Sequence, residues 1–356
     1  MSAITVTQNF QGTRGLPKWL APTILAVSVL VSLAVNTLLA GSSNGTTQIN
    51  LLSVALLAVV VFTLSFYLAS RFIEGKRKSA DRLVTVLVTS AFSLAVVPLV
   101  SLAWTVVEKG AARFDIEFFT FSMRNVVGEG GGAFHAIVGT LQITGFATLI
   151  SVPIGIMTAI YLVEYGRGSL ARAVTFFVDV MTGIPSIVAG LFAYAAFVII
   201  FGPGVRMGIG GAIALSVLMI PVVIRATEEM LKIVPNELRE ASYALGVPKW
   251  LTVTKVVLPT ALAGIATGVM IAIARIIGET APLLIIAGFT ASTNFNPFDE
   301  RMMTLPVFVY TSYANQGADA QAYIDRAWTG ALVLMLIVML LNLIARLVSK
   351  YFSPKG

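Results

Sequence analysis

Residues 258–288 read LPTALAGIATGVMIAIARIIGETAPLLIIAG, an apolar run in which Arg275 and Glu279 are the only ionisable side chains. At 1.5 Å per helical residue it is long enough to cross the roughly 30 Å of a hydrocarbon core. Comparable runs lie at 21–40, 51–70, 83–107, 134–163, 173–200, 209–227 and 327–348. With 257–287 they define an all-α polytopic membrane protein of about eight spans. The composition agrees: 57% of residues are hydrophobic and 12% charged, against about a quarter charged in a soluble domain. The run from Ala21 to Ala40 exceeds the roughly 7–15 residues of a cleavable signal core and reads as a retained helix.

Charge then orients the spans. Seventeen Lys and Arg residues fall on the side holding both termini and six on the other, with Arg275 alone inside a span. The positive-inside rule assigns the richer side, and both termini, to the cytoplasm. The net charge of +7 does not indicate nucleic acid, because the basic residues sit in connectors without an aromatic-interleaved patch. There is no cysteine and one histidine, His135, which excludes disulfides and thiolate or multi-histidine metal centres. His135 reads as an interface residue. Asp179, placed near the start of the fifth span, reads as a helix-dipole partner.

The external connector 108–132 ends in Gly128-Glu129-Gly130-Gly131-Gly132. No strand precedes it and no Lys-Ser/Thr follows, so it reads as a flexible linker rather than a phosphate cradle. The connector 288–326 carries Asn294, Asn296, Pro297 and Asp299, which are turn-forming residues. On the cytoplasmic side, Asn236 is placed to cap a short helix that Gly246 closes in a left-handed conformation. Leu238, Ala241, Ser242 and Leu245 recur on one face, opposite Glu237 and Glu240. A short amphipathic helix of this kind suits a groove on a soluble partner.

In the seventh span, Gly264, Gly268 and Ala272 form a small-residue ridge for close helix packing. Arg275 and Glu279 follow near the same face, and an ionisable group at this depth costs at least about 2.5–3.5 kcal/mol, so it marks function. Arg275 is suited to two-pronged contact with an oxyanion, and Glu279 to holding the guanidinium while the pathway is empty. Pro282 displaces the carbonyl of Gly278 from its helical bond and predicts a kink beside the pair.

Two motifs carry a resemblance. Glu240-Ala241-Ser242, then Gly246, Val256 and Leu258-Pro259, resembles the EAA loop of permease subunits of ATP-binding-cassette importers, departing at Ser242 and Val256. Arg275-Ile276-Ile277-Gly278-Glu279-Thr280-Ala281-Pro282-Leu283-Leu284 is similar to the signature of the PstA-type permease family of phosphate-specific transport systems. Gly139-Thr140-Leu141, Gly155, the segments 161–165 and 183–190, and Arg225-Ala226-Thr227-Glu228-Glu229-Met230-Leu231 are similar to the same family.

The resemblance implies a type I importer core of six helices, with two helices added at the N-terminus. Its divisions are an extension at 1–80, a first core helix and external loop at 81–133, and a transmembrane domain at 134–356 with a coupling loop at 228–259. It implies that Glu240, Ala241, Gly246, Leu258 and Pro259 engage a separate ATPase, and that Arg275, Glu279 and, less directly, Arg225 serve the substrate pathway. No cofactor belongs to this chain, and ATP and magnesium fall to the ATPase, in keeping with the lack of a phosphate-binding Gly-x-x-x-x-Gly-Lys-Ser/Thr motif. The implied partners are a PstC-like permease, a homodimeric PstB-like ATPase, a PstS-like extracytoplasmic phosphate-binding protein and membrane lipids, in a bacterial cytoplasmic membrane. Three other readings compete: import of another oxyanion (sulfate, molybdate or phosphonate); a membrane-embedded enzyme, for which a nucleophile or clustered ligands are missing; and a self-contained channel or secondary carrier, against which the spacing from Glu240 to Pro259 argues.

Overall fold

The computed structural model describes residues 15–40, 51–317 and 319–352. Arg14 and Lys355, two of the basic residues used for orientation, lie outside them. The helices are α1 (Leu20–Ala40), α2 (Leu51–Ile73), α3 (Lys76–Gly110), α4 (Ile116–Thr120), α5 (Phe134–Ile160), α6 (Gly168–Thr182) and α7 (Ser186–Phe201). They continue with α8 (Gly208–Ile233), α9 (Asn236–Ala244), α10 (Lys249–Thr252), α11 (Leu258–Ile276), α12 (Ala281–Ile286), α13 (Leu305–Ala314) and α14 (Ala320–Phe352). Among the described residues seven helices are long and apolar enough to span a membrane, and α6 with α7 forms one further broken candidate. The protein is a multi-pass, all-helical membrane protein.

The chain divides into two compact units, residues 1–103 and 104–356. In the first, α1 and α2 form a hairpin in which the Ser32 hydroxyl donates to the Val54 carbonyl at 2.6 Å. Below it, Glu74 accepts the Leu16 amide at 2.9 Å and the Ser70 hydroxyl at 3.0 Å, and lies 3.4 Å from Arg82. In the second unit α8 is the central helix, buried against α5, α7 and α11. Ile143, Ala147, Leu215, Met219, Val223, Ala272, Ile276 and Leu283 meet in one core.

Two expected spans are broken rather than continuous. The run 173–200 is two helices that meet at 110° across Gly183-Ile184-Pro185, because proline lacks an amide donor and drives its predecessor out of helical geometry. The run 257–287 ends as a helix at Ile276; the Glu279 amide closes a tight turn onto the Ile276 carbonyl at 3.1 Å, and α12 starts afresh at Ala281. Pro282 therefore sits in the first turn of a new helix, where a missing N–H costs nothing. The expected kink with a displaced Gly278 carbonyl is replaced by a full break.

The glycine run is pinned, not a flexible linker. Arg326 donates to the carbonyls of Gly128 and Gly130 at 2.7 and 2.9 Å, Arg113 to that of Gly131 at 3.0 Å, and Glu117 accepts the Gly131 amide at 2.9 Å. At Gly132 a Cβ would lie 2.6 Å from the carbonyl oxygens of Glu117 and Phe118, so side chains are excluded by contact. The connector after α12 is irregular, with bends and turns, and then forms α13, whose first turn (Leu305, Pro306, Val307 and Phe308) is buried. The amide of Leu305 is held by the Thr140 hydroxyl at 2.8 Å.

Candidate translocation and coupling sites

The small-residue ridge of α11 packs on α8. A Cβ at Gly268 would lie 2.5 Å from the Cβ of Ala226, and one at Gly264 would lie 2.2 Å from the Met230 sulfur. Those pairings run antiparallel, so the level of Arg275 corresponds to about position 219, near the middle of α8 and of the membrane. The ridge continues through Ala272 to Ile276, both buried. Arg275 is one residue off that row and projects from the outer surface of the chain.

Arg275 makes no ion pair or hydrogen bond among the described residues, and the Glu279 carboxylate likewise has none. The expected guanidinium–carboxylate pair is absent because side chains four apart meet only on a continuous helix, and this helix stops between them. Behind the break, a Cβ at Gly190 would lie 2.5 Å from the Cα of Pro282. The second half of one broken span is thus pressed onto the second half of the other, and Pro282, Leu283 and Ile286 are buried there. Gly278 itself is exposed.

Arg225 is not brought to Arg275. The helix register leaves it roughly 9 Å away along the axis, toward α9. It is instead shared between Asp179 and Glu228, the latter at 2.8 Å, while Lys232 reaches Glu228 at 2.7 Å. Asp179 lies in the last turn of α6, not near a helix start, and serves as the α8 cation's partner rather than as a dipole partner. His135 is buried edge-on to Phe308, with ring centroids 5.7 Å apart.

The loop motif between the sixth and seventh expected spans forms α9 and α10. Asn236 is the first helical residue and makes no cap bond; its side chain accepts from Arg239 at 3.4 Å. Gly246 adopts φ +76°, the left-handed geometry that ends the helix. Ser242, where the motif has alanine, is buried and hydrogen-bonded to Thr252 at 2.8 Å. Glu240, Ala241 and Gly246 are exposed, Pro259 occupies the first turn of α11, and Leu258 is half-buried. Leu245, 83% exposed, and Trp250, 62% exposed, stand out beside them.

What seats α9 lies in the segment 161–165, which the resemblance marked without giving it a role. Glu164 ends the long α5 helix in a π-helical turn (Tyr161–Tyr165), with its side chain 5% exposed. One of its oxygens accepts from Arg239 Nε at 3.1 Å and Nη2 at 2.9 Å. Arg239 also donates to the carbonyls of Val234 at 2.6 Å and Leu231 at 2.9 Å. Lys249 bonds the Glu164 carbonyl and lies over the Tyr165 ring at 5.0 Å. The available signal was an isolated acid closing an apolar span, opposite an arginine inside the loop motif.

Comparison with known proteins fits this arrangement. Residues 151–355 match the family described as binding-protein-dependent transport system inner membrane component. Phosphate transport system permease protein PstA 1 of Mycobacterium tuberculosis (strain ATCC 25618 / H37Rv) is 44% identical over 276 residues, 77% of this chain and 88% of the relative. This chain belongs to the PstA permease family. The PstA protein of Yersinia pestis is 39% identical over 279 residues, 77% of this chain and 92% of the relative. A bacterial alginate ABC transporter, solved with an alginate-bound periplasmic protein, shares the fold at a TM-score of 0.55 and 14% identity, over 78% of this chain and 97% of that one. PstA family members are transport permeases, so the chemistry to be explained is passage and coupling rather than catalysis.

Proposed function

We propose that this chain forms half of the translocation pathway of an ATP-driven importer of inorganic phosphate, with both termini in the cytoplasm. The observation that carries this reading is Arg275: a guanidinium at mid-membrane depth, unpaired, on the chain's outer surface beside a helix break. Such a group costs at least about 2.5–3.5 kcal/mol against lipid. A water-filled interface with a second permease removes that cost and leaves the guanidinium's donors free for a tetrahedral anion. The names of the chain's relatives support phosphate as the cargo.

The partners in this reading are a PstC-like permease, a homodimeric PstB-like ATPase that binds ATP and magnesium, and a PstS-like phosphate-binding protein. The exposed Leu245 and Trp250, with Glu240, Ala241 and Gly246, form the surface offered to the ATPase. Closure of the ATPases moves α9, and the Glu164–Arg239 clamp passes that motion to α5 while Leu258 and Pro259 pass it to α11. Glu279 lines the pathway near the break, and Arg225, neutralised by two carboxylates, steadies α6 against α8. The test is ATP-dependent uptake of radiolabelled phosphate into vesicles holding the co-expressed complex. Arg275→Gln is expected to abolish uptake while the ATPase still co-purifies; normal uptake by that variant would refute the assignment.

A further inference from the structure

At the end of α8 opposite the coupling loop, the chain gathers a second set of cations. Gly204 and Arg206 from the α7–α8 connector, with Phe289, Thr290, Glu300 and Arg301 from the segment after α12, line a cavity of about 400 Å³. Backbone bonds fix its walls: Met207 N to Ile286 O at 3.1 Å, Ile209 N to Pro297 O at 2.7 Å, and Met302 N to Ala287 O at 3.1 Å. Gly288, at φ +74°, lies beneath both arginines; a Cβ there would lie 3.0 Å from the Cδ of Arg206 and 3.4 Å from that of Arg301. The two side chains therefore converge over one backbone position that no other residue type fits without strain.

Neither arginine has an ion-pair partner among the described residues, and Glu300, the one acid lining the cavity, pairs with neither. The Nε of Arg206 is buried without a hydrogen-bond acceptor, so the fold itself leaves that guanidinium unmatched. Two guanidiniums and the Thr290 hydroxyl line one cavity, a set of donors whose chemistry suits an oxyanion.

We propose that this cavity is a receiving site for free inorganic phosphate at the pathway end opposite α9. The 26 residues of α8 place it about 39 Å from the coupling loop, with Arg275 between the two levels. Its place ahead of Arg275 rests on the transport reading, whereas the binding itself does not.

The test is equilibrium dialysis of labelled inorganic phosphate against the purified complex without binding protein, in an Arg275→Gln background and in zwitterionic lipid discs. Binding is expected to persist in Arg275→Gln. It should fall at least about tenfold when Arg206→Gln and Arg301→Gln are added, since two charge-assisted contacts are lost. Glu300→Gln should tighten binding, an increase that misfolding cannot produce. Phosphate binding that ignores all three substitutions would overturn the proposal. So would an arginine-dependent site that takes phosphatidylglycerol but not inorganic phosphate. Arginine-dependent binding, in a complex whose form with Arg275 intact transports no phosphate, would sink the transport reading alone.

Discussion

Removing the Glu164 carboxylate should unseat α9 while leaving Arg275 and its surroundings in place. Its side chain is 5% exposed and that of Arg239 is 13% exposed, so the pair is screened little by water. Breaking a buried pair from one side costs about 3–5 kcal/mol. Arg239 would keep the Val234 and Leu231 carbonyls, and Lys249 would keep the backbone carbonyl of residue 164. The lower end, about 3 kcal/mol, is therefore expected for Glu164→Ala, or roughly a hundredfold in the ratio of seated to unseated α9. Hydrogen exchange in the assembled complex reads this directly, at the Gly246 amide bonded to Tyr243 and the Val247 amide bonded to Ser242. Protection there should drop by about that factor, and ATP consumed per phosphate imported should rise. Unchanged exchange and stoichiometry would refute the clamp. So would a double-mutant cycle in which Glu164→Ala and Arg239→Ala add independently.

Gly246→Ala should weaken the α9 terminus by about 1–2 kcal/mol, since φ is +76°. Gly246→Pro, whose ring demands a negative φ, should abolish co-purification with the ATPase while membrane insertion persists. Gly268→Val places a side chain where a Cβ already meets Ala226 at 2.5 Å; overpacking of about 1–3 kcal/mol should lower the thermal midpoint, and pairing Gly268→Ala with Ala226→Gly should restore it. The Leu16 amide, Ser70 and Arg82 hold the Glu74 carboxyl below its ordinary value of 4.5. A depressed carboxyl contributes stability above that value and loses it as pH falls through the lowered one. Protease access at residues 15–20 should therefore increase only as pH falls below the ordinary carboxyl value of 4.5, and Glu74→Gln should abolish the pH dependence.

The spans, the loop that forms α9 and the intramembrane arginine were legible because each is a local property. Hydropathy over 20 residues, a left-handed glycine at 246 and a charge in hydrocarbon need no knowledge of what packs where. The breaks at 183–185 and 277–280 were only half visible. Pro185 and Pro282 announce disruption, but whether a helix bends or ends depends on its neighbours, here the contact of Gly190 with Pro282. The glycine run reads as flexible until Arg326, 198 residues beyond Gly128, is seen gripping its carbonyls together with the nearby Arg113.

By itself, then, the sequence determined an all-helical membrane chain with a short amphipathic loop helix and a cation inside a span, because lipid and backbone hydrogen bonding act on every segment separately. Only the tertiary structure decided which charges meet. Arg225 found Asp179, 46 residues away, Arg239 found Glu164, 75 away, and Arg275 was left without its expected carboxylate. Electrostatic partnership depends on distances of a few ångströms between elements remote in the chain, and folding sets those distances where no local pattern records them.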